Sequence, residues 1–425
     1  MMEKEKVRVA NVHGLPDDGA IRGEKSSKFF THEEVVNTLR AAMPWFRIED
    51  CRADFIVQGS EFAHPDAAAP MSGGDVTASA FRTQLHIPLE EHRAFRAKTQ
   101  DYMEKVVFAE NNASHPEWEA FGYWKKINGI KGCIEEPDAP ENWALFRGLK
   151  EQFKKGPYPT LFVIPTGGLY FNSPYMWADA PATKFFGAQA FIPHFRSCID
   201  AQYPAAINDL HAAYQYMVNH AEELNIDTDR IIIYGYSSGA HLASCLPFRL
   251  KRYDWCGAPM PRGVYCDDGM FDDRETTRSM RILSYTWSSL FNRGANMLYM
   301  GDNFASGLIG PEAFANHATV EECKGLPPYC ITEGQYNVGC DPATEFVNKL
   351  NAAGVYCDYY IYGGCNHYAY ARDDGSTFRM LFCAMPDMPS EYEPLSGYDA
   401  SARLNHFQIS CIKDFINNDM RRKVE

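Results

Sequence analysis

The segment GYSSG (235–239) fits the pattern G-x-S-x-G, in which the central serine, here Ser237, can act as a nucleophile. With glycine and serine each at about 7% usage, such a match arises by chance ~0.15 times in a chain of this length. The chemistry it suggests is acyl transfer: the Ser237 hydroxyl attacks a carbonyl carbon and a tetrahedral oxyanion forms. Fixed N–H donors must then lie close to Ser237.

The elements around this pattern are those that would position a nucleophile. The segment RIIIY (230–234) predicts a buried strand, and a helix is predicted to begin near Ala240. This order places Ser237 on a strained turn, where the flanking glycines let strand and helix approach closely. The helix N-terminus favours the developing negative charge. An ordinary strand-to-helix turn is the alternative.

A second glycine-bearing loop could supply the donors. PTGGLY (165–170) follows the predicted strand PTLFVIP (159–165), and Gly167 and Gly168 can turn their N–H groups inward because they lack side chains. The N–H of Ser238 would be a further donor. An ordinary Gly-Gly turn is the alternative here.

The rest of the chain predicts alternating elements, which favour an α/β fold with a doubly wound, mostly parallel sheet. An aromatic segment at 115–127 predicts a core-facing helix, or else the wall of a cleft. The other predicted elements are strands at 189–195, 328–332 and 356–362, a turn at 227–230, and helices at 31–42, 88–109, 205–223, 242–247, 342–353 and 402–418.

Composition excludes several classes of protein. The 425 residues are 45% hydrophobic and 23% charged, which is ordinary for a globular protein and unlike disordered or fibrous chains. The net charge of -14 argues against nucleic acid as a partner. We expect no membrane span, since no apolar run approaches about 18 residues, and no signal peptide.

The thirteen cysteines are spread over the chain, and none lies in a CxxC pair or a cluster with zinc spacing. This usage favours free, buried thiols in the cytoplasm. We expect neither a metal nor another cofactor.

Several motifs, in order, give the chain a family resemblance. They are IPTGGLYFNS (164–173), QYPAAINDLHAAYQYM (202–217), DTDRIIIYGYSSGAHLA (227–243), GLPPYCIT (325–332) and GGCNHYAY (363–370). From about residue 160 onward the chain resembles the hormone-sensitive-lipase-like branch of the α/β-hydrolases. The resemblance implies an α/β-hydrolase fold with a helical cap, here with a long N-terminal extension.

The resemblance also implies roles for individual residues. Ser237 would be the nucleophile, and His367, in a loop after a strand, would be the base. Gly167, Gly168 and Ser238 would bind the oxyanion. The chain departs from the family at 165–166, where Pro-Thr replaces His-Gly, so the loop geometry can differ.

The acid of the implied triad is the main departure. The family has Y-D-x-x-x-D where this chain has QYNVGCD (335–341), so Asn337 replaces the first aspartate and Asp341 matches the second. Asp341 precedes Pro342, which also suits a helix cap. In a serine protease the change of the triad Asp to Asn slows the reaction about 10⁴-fold. Asn337, Asp341 or another carboxylate such as Glu333 could serve.

The chain divides into an N-terminal extension at 1–110, acting as a cap or oligomerisation arm, and an α/β-hydrolase domain at 111–425 with a lid at about 268–320. Homo-oligomerisation is left open.

The prediction is a serine hydrolase that cleaves a small-molecule carboxylic ester of a small or aromatic acid through an acyl-enzyme. One alternative is an amidase or formamidase with the same nucleophile. A non-catalytic ligand-binding protein, suggested by Asn337, is another, and elimination or C–C bond cleavage is a third.

Overall fold

The structure is a computed structural model. It describes residues 7–11, 97, 109, 113, 116–152, 155–169, 172–177, 186–274, 276–277, 279–280, 295–296, 298–334, 337–362, 370–371, 377–378 and 410–422.

The centre of the fold is a nine-stranded sheet in the order β1-β9-β8-β7-β6-β4-β5-β3-β2. Only the pairs β2/β3 and β3/β5 are antiparallel, so the predicted mostly parallel sheet is confirmed. The strands are β1 Val7–Asn11, β2 Gly122–Ile130, β3 Asn142–Leu149, β4 Tyr158–Ile164, β5 Gln189–Pro193, β6 Ile226–Tyr236, β7 Gly263–Asp267, β8 Tyr329–Gly334 and β9 Cys357–Tyr362. A separate antiparallel pair joins β10 Tyr370–Ala371 to β11 Thr377–Phe378.

Helices cover both faces of this sheet. They are α1 Ala205–Asn219, α2 Ser238–Arg252, α3 Val320–Cys323, α4 Cys340–Ala352 and α5 at residues 410–417. The prediction that α2 ends at Pro247 was wrong, because the helix continues to Arg252. Burial of Leu246 and Leu250 on either side of the proline helps to offset the lost backbone hydrogen bond.

Alternation along the central strands separates the two faces. In β6, Ile231 and Ile233 join the core with α1, α2 and α4, while Ile232 faces the opposite cluster. That second cluster includes Ile412 and Phe415 of α5. The period of two in side-chain direction therefore gives a sheet that is buried on both sides.

The structure corrects two local predictions. Most of the aromatic segment at 115–127 is not a helix: it forms a short 3-10 turn, Pro116–Ala120, and then β2. Its Tyr123 ring meets Phe146 of β3 edge-on at 6.3 Å between ring centroids. Pairing with β3 decided the outcome over near-helical spacing. The turn predicted at 227–230 is part of β6.

The predicted N-terminal elements lie almost wholly outside the described residues. The helix predicted at 31–42 cannot be placed, and of the one predicted at 88–109 only positions 97 and 109 are described, both helical. From the N-terminal extension, β1 pairs in parallel with β9 at the edge of the sheet.

Register brings the ends of four strands to one edge. Ile164 of β4 pairs with Gly235 of β6, Tyr236 with Asp267 of β7, and Asp267 with Thr332 of β8. The loops that follow these strands therefore emerge side by side, which is where open α/β sheets bind ligands.

Candidate active site

Ser237 lies between β6 and α2, in the strand–turn–helix order that the sequence predicts. Its backbone has φ 53° and ψ −122°, a conformation that costs a non-glycine residue about 1–3 kcal/mol. The Ser237 N–H donates to the carbonyl of Asp267 at 2.8 Å, which holds the turn against β7.

The two glycines of the motif permit this turn. A Cβ on Gly235 would lie 2.3 Å from the carbonyl oxygen of Gly239, and one on Gly239 would lie 2.2 Å from that of Ile164. Both positions therefore exclude any side chain, as the sequence motif suggests.

The glycine loop after β4 has the backbone freedom expected of it. Gly167 has φ 136° and Gly168 φ 63°, and Leu169 shares the left-handed conformation with φ 65°. Gly168 lies in the same pocket as Ser237 and Ser238. Gly167 comes directly before it but is not among the described residues that line the pocket.

One pocket collects most of the residues singled out from the sequence. Its described lining is Gly168, Leu169, Ser237, Ser238, His241, Asp268, Gly269, Met270, Ala295, Asn296 and Asn337. Ser237, one loop glycine and Asn337 are thus brought together from three separate loops.

Asn337 is held by two acids. It is 2% exposed, and its Nδ2 donates to Asp268 Oδ1 at 3.0 Å and to Glu333 Oε2 at 2.7 Å. Asp268 Oδ1 also accepts the N–H of Gly334 at 2.9 Å. Asp268 itself has φ 52°. The sequence analysis does not single out Asp268. The pair Asp267-Asp268 directly follows the apolar run GVYC, and acidic residues at the end of such a run are the signal that could have found it.

Burial shapes the electrostatics of this group. Glu333 is fully buried, and burial followed by the charge of Asp268 raises its pKa well above the usual range. Burial and the neighbouring charge therefore both favour the neutral form of the Glu333 carboxyl group.

Asp341, the other candidate acid, makes different contacts. Its Oδ2 accepts the N–H of Ser279 at 2.6 Å, and its own N–H donates to Ser279 Oγ at 3.1 Å. The helix begins at Cys340, so Asp341 lies in the first turn of α4.

His367 lies outside the described residues, so its position relative to Ser237 stays a prediction. His241 lines the pocket but is engaged elsewhere: its Nε2–H donates to the carbonyl of Ala313 at 2.5 Å, and its ring stacks on Phe314. Burial lowers the pKa of His241 to about 4, so the ring is neutral.

The sequence and the structure were both compared with those of known proteins. Residues 167–371 match a family model described as the alpha/beta hydrolase fold. The chain has the alpha/beta hydrolase fold. The match and the esterases among its structural neighbours bear out the resemblance to hormone-sensitive-lipase-like esterases.

Three solved structures show how far the likeness extends. A bacterial heroin esterase has a TM-score of 0.56 at 20% identity, covering 75% of this chain and 93% of that one. Carboxyl esterase 2 from the mycorrhizal fungus Tuber melanosporum has a TM-score of 0.56 at 15% identity, covering 70% and 88%. A thermostable esterase from Pseudomonas putida has a TM-score of 0.52 at 19% identity, covering 77% and 96%. At these identities the likeness is one of fold.

A second acidic cluster lies within the segment at 268–320. Asp272, Asp273 and His317 have donor atoms close enough to hold a metal ion. However, Arg274 binds both oxygens of Asp272, at 2.9 and 2.5 Å, and His317 Nε2 lies 2.8 Å from Asp273 Oδ1. Two cations already face the two carboxylates, so this donor set fits an ion-pair network better than a metal site.

Two further features concern the thiols and the helices of the described residues. Ten cysteines among the described residues are free thiols, nine of them buried. Within the described part of the chain, no helix is both long and apolar enough to span a bilayer.

Proposed function

We propose that the chain is a serine hydrolase that cleaves a carboxylic ester of a small or aromatic acid through an acyl-enzyme. The observation that carries the proposal is the strained backbone of Ser237 at the mouth of a pocket shared with Gly168 and Asn337. A non-glycine residue keeps such a conformation only where the surrounding fold enforces it, which is typical of functional sites.

The reaction would run in two steps. Ser237 Oγ attacks the carbonyl carbon, while His367, which follows β9 in the chain, takes its proton and passes it to the leaving alcohol. Backbone N–H groups of Gly167, Gly168 and Ser238 bind the oxyanion, each contributing about 3 kcal/mol. Water then attacks the acyl-enzyme with the same base, and the acid is released.

The third member of the triad is Asn337 in this proposal. It lines the pocket with Ser237, whereas both the Oδ2 and the backbone N–H of Asp341 bond to Ser279. Asp341 as the acid remains the competing assignment, and the variants Asn337→Ala and Asp341→Ala distinguish the two by their effect on kcat.

The class of acyl group follows from the walls of the pocket. Leu169, Met270 and Ala295 offer apolar surface, which suits a short aliphatic or aromatic acyl chain. Met270, Ala295 and Asn296 belong to the segment at 268–320, which we propose is the lid that sets substrate choice.

The first experiment is intact-protein mass after treatment with a fluorophosphonate probe. We expect one adduct per chain that disappears in Ser237→Ala. A folded chain that forms no adduct would show that Ser237 is not activated, and the ligand-binding alternative would then replace the hydrolase. Matched esters and formamides of one acyl group, assayed side by side, decide which bond is cleaved.

A further inference from the structure

We propose that Asn337, Asp268 and Glu333 form one positioning unit that takes the place of the missing triad carboxylate. In this Asn337 unit, the two carboxyl groups share one proton and bind both N–H groups of the Asn337 amide. They leave Asn337 Oδ1 as the acceptor for the catalytic imidazole. The inference rests on the proposed function, since it assigns the third member of the same triad.

The first step is the orientation of the amide. Asn337 Nδ2 carries two hydrogens, and two carboxyl oxygens accept from it, Asp268 Oδ1 at 3.0 Å and Glu333 Oε2 at 2.7 Å. The flipped amide would turn Oδ1 toward the same two oxygens, and because the pair holds one proton, at least one acceptor would face an acceptor. The acids therefore fix which end of the amide faces them.

A fixed orientation removes the main disadvantage of asparagine. In a triad an asparagine can donate to the imidazole and so hold the wrong tautomer, which accounts for the large loss of rate in serine proteases. Here the donor hydrogens are already used, and the remaining polar atom, Oδ1, can only accept. An imidazole that meets Oδ1 must donate its own N–H, which leaves its other nitrogen free to take a proton from serine.

The second step is the charge behind the amide. Both carboxyl groups are shielded from solvent: Glu333 is 0% exposed and Asp268 is 2% exposed. Among the described residues, no N–H or O–H donor reaches Glu333 Oε1. Two buried carboxyl groups that accept from one amide nitrogen repel each other when both are charged, so a single proton on the pair, with one negative charge left, is the state that the proposal assigns.

The charges that act most strongly on Glu333 have one sign. They belong to Asp268 and Asp267 at the end of β7, and after burial they raise the pKa of Glu333 further. Asp267 is tied in turn to Thr332, whose Oγ1 donates to its Oδ1. The amide is thus backed by net negative charge, which stabilises an imidazolium in the way that a triad carboxylate does.

The decisive variant is Asn337→Asp, because two accounts predict opposite results. If Asn337 were simply a lost acid, restoring aspartate would raise kcat/KM by up to about 10⁴-fold. In the Asn337 unit, aspartate removes both N–H donors and sets three carboxyl groups together. We therefore expect kcat/KM to fall by about tenfold or more. A rise would overturn the proposal.

A second set of variants does not depend on the folding of Asn337→Asp. Asp268→Asn leaves Glu333 to carry the charge, and Glu333→Gln leaves Asp268 to carry it, so each single change should lower kcat/KM by at most about tenfold. The double variant carries no charge on the pair. We expect its loss to exceed the product of the single losses by about tenfold to a hundredfold. Simple additivity would overturn the shared charge.

The pH profile separates this role from a purely structural one. The acidic limb of kcat/KM reports the pKa of the base in the free enzyme. Removal of the negative charge in the double variant should move that limb to lower pH by about one unit. A lower rate with an unmoved limb would mean that the acids only support the loop. Glu223→Gln, an exposed acid on the last turn before β6, is the control.

The shared proton has a readout independent of activity. Infrared difference spectra at neutral pH should show a protonated carboxyl group that is absent from Glu333→Gln. If the wild-type chain lacks this band, the proposal is overturned whatever the activity. If the band is present and the fluorophosphonate adduct is absent, the proposed function fails, and the catalytic role of the Asn337 unit fails with it.

Discussion

Gly239 lies so close to Ile164 that a methyl group on its Cα would stand 2.2 Å from the Ile164 carbonyl oxygen. The contact joins the first turn of α2 to the last residue of β4. It therefore sets the distance between the turn that carries Ser237 and the loop that carries Gly167 and Gly168.

Gly239→Ala should accordingly disturb both stability and catalysis. The clash is with backbone on each side and cannot be relieved by a rotamer change, so we expect the free energy of unfolding to fall by about 1–3 kcal/mol. The rate should also fall, because the oxyanion donors shift relative to Ser237. Denaturant unfolding and kcat measure the two effects. Gly310→Ala, where a Cβ meets nothing within 4 Å, should stay within about 0.5 kcal/mol.

Ser238 separates the roles of backbone and side chain in the pocket. Its Oγ is buried and has no hydrogen-bond partner among the described residues, while its N–H is the proposed oxyanion donor. Ser238→Ala should therefore keep or raise the free energy of unfolding, by up to about 1 kcal/mol. It should lower kcat by less than about tenfold, whereas Ser237→Ala should lower it by about 10⁶. A large loss in Ser238→Ala would show that the hydroxyl contacts the substrate.

Two arginines that share two glutamates give a matched test of burial. Arg249 is 2% exposed and bonds to Glu135 and Glu312 at 2.5 Å each, and Arg252 pairs with the same two acids while 53% exposed. Arg249→Met should lower the free energy of unfolding by about 1–3 kcal/mol, because the buried Asn208 Oδ1 loses the donor that now lies 2.8 Å away and both glutamates lose one of their two cations.

Arg252→Met should lower the free energy of unfolding by less than about 1 kcal/mol, since the Arg252 side chain that pairs with Glu135 and Glu312 is open to solvent. Thermal and denaturant unfolding of the two variants would contradict this account if the losses were equal. Glu312 directly precedes Ala313, whose carbonyl accepts from His241 in the pocket wall. Arg249→Met should therefore also loosen this part of the pocket.

His317 should make stability depend on pH above neutrality. Burial alone would lower its pKa, but the hydrogen bonds to Asp272 and Asp273 outweigh burial and raise the pKa from 6.5 to about 9. A raised pKa in the folded state means that the stabilisation is complete below pH 6.5 and is lost as the pH rises through about 9. The loss should be on the order of 3 kcal/mol.

Denaturant unfolding between pH 6 and pH 10 measures this loss. His317→Gln should flatten the dependence, while His220→Gln, outside the network, should keep it. An unchanged slope in His317→Gln would assign the pH dependence to another group.

The sequence by itself determined the turn that carries Ser237. The strand, the tight turn and the helix around Ser237 are contiguous in the chain, and the glycines of the motif exclude side chains at the points where strand and helix meet. The parallel sheet also followed from the alternation of elements, because each buried strand and each amphipathic helix leaves its own periodic pattern.

Only the tertiary structure decided how the third member of the site is built. Asp268 and Asn337 are far apart in the chain and meet because β7 and β8 pair in parallel, with Asp267 opposite Thr332. Their chemistry could not be predicted from either residue alone. The amide of an asparagine can present either its oxygen or its nitrogen to the pocket, and the neighbouring side chains decide which. Burial decides how many protons those neighbours hold. The same reason explains the wrong helix at 115–127, where pairing with β3 outweighed the spacing of the aromatic residues.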